Sequence, residues 1–442
     1  MKALLILKYI PTRSSDLKSD CLWSIIDGLD AEGVQVTLVT KGKSAQHEYP
    51  EVDHKSLCQY LENPDINPNP FTTGKPDVTF AICTSEYPAV LAHRIFEVMA
   101  IPYIVQEHRS IYDRQNLTND EIPLGFVNAL RDASAVYAVS APLAKKMQMR
   151  GIRPDIGILS NSIQPNFFVK PVLELNTPSL ADFFEWASSN YVFGAWTNWR
   201  SFKRVDLLLT AFKVFHNQSG KGRLIIAGPL CEPWDDIRVR EYLKEHNLQN
   251  SVYLYGTADR FEIHAIAHRI DCCVIPSDFE TFGLPALEAQ AAGKPVVATK
   301  CGGPEDIVTD NSLGIIVPCN NAIELANGLL EIYLNQNRYH SGTIIENTVC
   351  KFSTQTISRK TKEALRLAYL KSLYFSNVFN ADIISLKEAN FCFRSGDYAS
   401  AYYAYHILSD SFPELRVAIS FNILLCESRM SYFNDHYLNN NL

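Results

Sequence analysis

Short runs of Val, Ile and other apolar residues alternate with helix-forming stretches, and the chain does this twice. That double alternation is what most constrains its fold. The first set of runs is ALLILKYI (3–10), VQVTLVT (34–40), VTFAICT (78–84), PYIVQEH (102–108), AVYAVS (135–140) and IGILSNS (156–162). They are apolar nearly throughout, as strands covered on both faces are. Helical stretches lie between them, such as 18–33, which Gly33 closes as a C-cap. A strand–helix–strand rhythm predicts a parallel, doubly wound sheet.

The rhythm restarts with YVFGAW (191–196), RLIIAGP (223–229), SVYLYG (251–256), CCVIPS (272–277), KPVVAT (294–299) and LGIIVP (313–318). The expected fold is therefore α/β, with two Rossmann-like domains, 1–168 and 191–355, facing a cleft. Ligands bind at the C-terminal ends of parallel strands, so the cleft is the expected site. Residues 169–190 carry two prolines and read as the interdomain connection, with room for a short helix. Residues 356–442 read as an all-α extension. In it Ala389, Gly396, Tyr398, Ala401, Tyr405 and Pro413 fall at positions resembling a tetratricopeptide repeat. A helical hairpin that braces the other domains fits the same residues.

With 442 residues the chain is too long for one ordinary core. A net charge of -7 argues against nonspecific nucleic-acid binding. The 11 cysteines are scattered, with no C-x-x-C pair, as expected of reduced thiols in a cytoplasmic protein. The opening run MKALLILKYI is broken by Lys8 and is too short for a signal sequence, and no run of 18 apolar residues occurs. Membrane contact is expected to be peripheral at most, at the inner membrane.

The most informative stretch is DFETFGLPALEAQAAG (278–293). After the buried strand CCVIPS comes a loop carrying Glu280. Then comes a helix with Pro285 in its first turn, alanines inside and Gly293 after its end. Glu288 stands about one turn into that helix. The free N–H groups around Phe282, Gly283 and Leu284, with the helix dipole, make an anion site. A carboxylate for sugar hydroxyls, an N–H cluster for phosphate and a second carboxylate for a ribose describe a nucleotide-sugar pocket.

The segment SDFETFGLPALEAQAAGKPVVATKCGGPEDIV (277–308) resembles the E-x7-E signature of glycosyltransferase family 4, retaining enzymes of the GT-B fold. The resemblance extends through RLIIAGP, SVYLYGTA and Gly314. It is weaker over 1–168, where QEH (106–108) and SNSIQPNFF (160–168) fit the outline. It implies a nucleoside-diphosphate sugar as donor and no cofactor or metal. It implies catalytic roles for His108, Lys203 and Glu280, and donor contacts from Gly228, Phe282, Gly283, Leu284 and Glu288. The family places an Arg beside Gly194 and a Gly after the lysine. Here those positions are Ala195 and Arg204, so Arg200 and Arg204 are the candidates for the second cation on the diphosphate. Ser140 matches a small residue at the corresponding strand end. The polar loop 11–20 departs from the family's Gly-Gly loop, which leaves the acceptor unread beyond a glycan or glycolipid of an envelope polysaccharide or glycoconjugate. The C-terminal helices are the expected place for a protein partner or self-association.

His264 and His268, four apart, have metal-ligand spacing, but no Glu stands in the H-E-x-x-H position and no third ligand is in view. Competing readings are another GT-B enzyme, such as an epimerase or phosphorylase, and a decayed scaffold acting through its tail. A nicotinamide dehydrogenase is disfavoured, because no G-x-G-x-x-G follows the first strand of either half.

Overall fold

The computed structural model describes residues 1–10, 19–42, 47–72, 74–113, 122–172, 178–376, 386–412 and 416–439. Its first sheet holds β1 (Lys2–Leu7), β2 (Gln35–Thr40), β3 (Val78–Cys83), β4 (Tyr103–Glu107), β5 (Ala135–Ala138) and β6 (Ile156–Ile158) in the order β2-β1-β3-β4-β5-β6. The second holds β7 (Val192–Trp196), β8 (Arg223–Ala227), β9 (Val252–Gly256), β10 (Cys272–Ile275), β11 (Val296–Thr299) and β12 (Gly314–Val317) in the order β12-β11-β10-β7-β8-β9. Every strand pairing is parallel.

The apolar runs become strands because both faces of each sheet are covered. In β1, Leu4 and Ile6 enter one core, while Ala3, Leu5 and Leu7 enter another. In β8, Ile225 and Ala227 share the first core, and Leu224 and Ile226 lie in a third. Each of these leucines and isoleucines stabilises the fold by roughly 1.5–3 kcal/mol when fully buried. Two strand-helix-strand halves therefore pack against one shared core, each with a further core on its other face, and the fold is GT-B, as expected.

The connection contains the helix Pro178–Ala187; residues 173–177 within it lie outside the described set. The chain beyond 355 divides in two. The helix Thr354–Ser376 returns to the first domain, where Ile357, Leu365 and Ala368 complete the core around Trp23 and Ile26. Thr354 hydrogen-bonds Ser24 at 2.6 Å and the Ile163 carbonyl at 3.1 Å. Its apolar face covers the first sheet, which periodicity alone does not reveal.

The helices Leu386–Arg394, Tyr398–Ser411 and Arg416–Asn439 form a further small core together with Leu370 of the helix Thr354–Ser376, with Ala389, Ala401, Ala404, Tyr405 and Leu408 buried. Gly396 makes the turn between the first two, at φ 84°. Pro413 and the loop 11–18 lie outside the described residues. Among the described residues no helix is long and apolar enough to cross a membrane.

Candidate active site

In the second sheet the strand order reverses between β7 and β10. Such a switch point opens a crevice beyond the carboxyl ends of the two strands. Lys203 follows β7 and Glu280 follows β10, so the topology alone brings them to one place.

Four contacts zip the two loops together. Lys203 Nζ donates to Glu280 Oε1 at 2.5 Å. The Phe202 and Phe279 rings stack with centroids 4.4 Å apart. Asp278 N–H donates to the Phe202 carbonyl at 2.8 Å, and Arg204 Nη1 donates to Asp278 at 2.9 Å. Glu280 Oε1 also accepts from Ser277 Oγ at 3.0 Å, which leaves Oε2 open to a ligand hydroxyl.

Arg204 occupies its glycine-like position literally, with φ 57° and ψ 52° in the left-handed region. Its guanidinium is spent on the protein. Nε and Nη2 hold Asp206, and Nη1 holds Asp278 and Asn320. A diphosphate contact from Arg204 would compete with this brace. Arg200 is exposed at the start of the short turn Ser201–Lys203.

The helix Leu284–Ala291 opens on Gly283 at φ 92°, with Pro in its first turn and no side-chain cap. Pro304 packs where a Cβ on Gly283 would stand, so glycine suits both the angle and the space. Among the described residues the N–H groups of Phe282, Gly283 and Leu284 donate to no backbone carbonyl. The Phe282 ring is buried against Phe352, so only its backbone can serve a ligand. Gly228 follows β8 and donates its N–H to the Gly256 carbonyl at 2.6 Å.

Glu288, the expected ribose contact, is buried between two protein partners. It is only 4% exposed. Trp196 Nε1 donates to its Oε2 and Arg260 Nη1 to its Oε1, each at 2.6 Å. Each carboxylate oxygen keeps a second lone pair, which a ribose hydroxyl could use. Neither partner was legible in the sequence, since Arg260 reads there as an ordinary first-turn residue after its Asp259 cap.

His108 lies just past β4, its N–H donating to the Cys83 carbonyl at 3.2 Å. Its neighbours pin it. The buried Glu107 carboxylate accepts from Arg109 N–H (2.8 Å), Arg109 Nε and Nη2 (3.0 Å each) and Tyr112 Oη (3.1 Å). Burial and that carboxylate push the Tyr112 hydroxyl pKa well up. The Arg109 guanidinium lies 4.2 Å over the Phe126 ring and also pairs with Glu86. The Glu107 carbonyl accepts Val139 N–H, and Ser140 next to it donates to the Thr281 carbonyl. The Glu107–Val139 and Ser140–Thr281 bonds thus link the end of β4, beside His108, to the Glu280 loop across the cleft.

His264 and His268 meet backbone carbonyls. His264 Nε2 meets the Val169 carbonyl at 2.9 Å and His268 Nε2 the Phe167 carbonyl at 3.0 Å, where the chain crosses between domains. Arg260, one turn earlier, lies 4.5 Å over the Phe167 ring. Burial pushes the His268 pKa down from 6.5 to about 4. Between those values the folded protein binds fewer protons than the unfolded chain, so stability falls as pH drops through that window. Discounted for partial exposure, the loss by pH 5 is about 1 kcal/mol, or roughly 2–4 °C in melting temperature. Melting curves at pH 7 and pH 5 should show this drop in the wild type and a smaller one in His268→Gln. Equal drops in both would contradict the assignment.

Residues 185–347 match the family described as Glycosyl transferases group 1. A D-inositol 3-phosphate glycosyltransferase of Paenarthrobacter aurescens is 34% identical over 135 residues, 28% of this chain and 33% of that protein. An alpha-1,3/1,6-mannosyltransferase of Dictyostelium discoideum is 32% identical over 136 residues, 28% of this chain and 32% of that protein. The chain thus spans about a third of the length of these curated relatives. Among solved structures, Anabaena Alr3699/HepE in complex with UDP and glucose aligns with TM-score 0.64 at 18% identity, covering 83% of this chain and 99% of that one. A sucrose-phosphate synthase from Thermosynechococcus elongatus aligns with TM-score 0.66 at 17% identity, covering 84% and 99%. The architecture is GT-B with C-terminal helices added, and residues 185–347 are similar to group 1 glycosyl transferases.

Proposed function

We propose that the chain transfers a sugar from a nucleoside-diphosphate sugar to an acceptor hydroxyl with retention of anomeric configuration. The observation that carries this reading is the convergence of Lys203, Glu280 and the open N–H groups of 282–284 at the switch point of the second sheet. Departure of the diphosphate is the difficult event, and its growing charge meets Lys203, the helix N-terminus and Arg200. Glu280 Oε2 orients a donor-sugar hydroxyl, and His108 faces the sugar from the first domain. The leaving phosphate oxygen takes the acceptor proton on the same face, so no enzyme nucleophile is needed. The residues present perform these steps without a metal. Glu288 holds the ribose.

The match to group 1 enzymes and the UDP bound in a neighbour of the same fold support this reading, and UDP-sugars are the first donors to try. An envelope glycan or glycolipid is the proposed acceptor, reached from the cytoplasmic side with peripheral membrane contact. The C-terminal helices, tetratricopeptide-like in plan, are proposed to dock a partner or a second copy. Phosphorus and proton NMR of UDP-glucose and related donors, with and without extracted glycan and lipid acceptors, tests the function. Acceptor-dependent nucleotide release and a product of unchanged anomeric coupling are expected. Isomerised donor without release would indicate an epimerase, and inverted product would overturn the mechanism.

A further inference from the structure

We propose that the first turn of the helix Ala141–Met149, in the first domain, is a latch that closes the cleft and seats the Glu280 loop, so that Ser140 and Asp306 are positioning residues. Ser140 is fully buried at the helix N-cap. Its hydroxyl does two things at once. It accepts from Leu143 N–H at 3.3 Å, which caps its own helix, and it donates to the Thr281 carbonyl of the other domain at 2.6 Å. The next residue, Ala141, gives its N–H to Asp306 Oδ2, also across the cleft, at 2.6 Å. That N–H is one a helix leaves unpaired, and the carboxylate sits where the helix dipole favours negative charge.

Both receiving groups belong to the structure that holds Glu280. Thr281 is its chain neighbour. On the other side, Glu280 N–H donates to the Cys301 carbonyl at 2.8 Å and Gly303 N–H donates to the Glu280 carbonyl at 2.9 Å. Asp306 follows in the same turn, on the helix Pro304–Ile307. Glu305 secures that turn by accepting Gly302 N–H at 2.7 Å. The Glu280 loop is therefore fixed from its own domain on one side and from the first domain on the other. Opening the cleft breaks the second set of bonds and frees Thr281, beside the residue that faces the donor. The geometry couples closure to assembly of the donor site.

Closure is measured on the full chain without substrate, by small-angle X-ray scattering. The wild type should have the radius of gyration of the closed structure. Ser140→Ala/Asp306→Ala should shift it upward, with the far-UV spectrum and unfolding transition of each domain retained. Asp306→Asn keeps an oxygen to accept Ala141 N–H and should restore the closed value in the Ser140 wild-type background, which separates a lost acceptor from a general loss of fold. Unchanged scattering in the double alanine variant would overturn the latch, as would equal opening in Asp306→Asn and Asp306→Ala. The positioning role rests on the proposed donor site. With UDP-glucose as probe, its slow hydrolysis should fall in kcat more than it rises in KM in Asp306→Ala, and recover in Asp306→Asn. Altered scattering with no turnover in the wild type would count against the donor reading alone.

Discussion

Lys203→Ala is expected to lower turnover by about 10²–10³-fold, the typical loss when one preorganised donor to a developing negative charge is removed. The expectation follows from the position of the ammonium group. Lys203 is held by a short turn after β7, its Nζ is 2.5 Å from Glu280, and it lies 5.3 Å over the Phe202 ring. These contacts aim one compact charge at the switch point before any ligand arrives, so little reorganisation is needed during the reaction. Lys203→Arg should recover only part of the loss, because a planar fork does not place a point charge. Initial rates of nucleotide release at saturating donor check both. Near-normal turnover in Lys203→Ala would remove the lysine from the mechanism.

The largest effect on stability is expected from Arg260→Ala, about 3–5 kcal/mol, since it strips the charged partner from a buried carboxylate. Arg260 and Glu288 are 8% and 4% exposed, and their contact is 2.6 Å. Trp196 would remain as a neutral donor to Oε2 and cannot balance the charge. The variant also loses the stacking on Phe167, which ties the second domain to the crossing segment. Replacing both members, Arg260→Met with Glu288→Gln, should cost much less, because no uncompensated charge remains. Urea unfolding of the single and double variants measures the difference. A loss below about 1 kcal/mol in Arg260→Ala would mean that water reaches Glu288 freely.

Much of this molecule was legible in its sequence for a physical reason. Strands covered on both faces must be apolar almost continuously, so β1, β3 and β10 announce themselves. The fall of Glu280, Gly283 and Glu288 around one proline fixes a loop and a helix start. Partnership is what local pattern does not encode. Nothing near Glu288 shows that Trp196, 92 positions away, will donate to it. Nothing in TQTISRKTKEALRLAYLKSLYFS shows that this helix will cover the first sheet. The charge of Arg204 is visible in sequence, whereas its left-handed backbone and two aspartate partners are tertiary facts. Nothing near His264 and His268 shows the carbonyls they meet, which come from 95 and 101 positions away.

Calorimetric titration of the full chain with UDP, GDP, ADP and CMP is the most direct measurement of the central claim, that the cleft at the second switch point holds a nucleoside-diphosphate sugar. The account predicts saturable binding of one diphosphate in preference to the others, weakened in Lys203→Ala. Absence of binding by any of the four to the folded protein, or binding that Lys203→Ala leaves untouched, would contradict it.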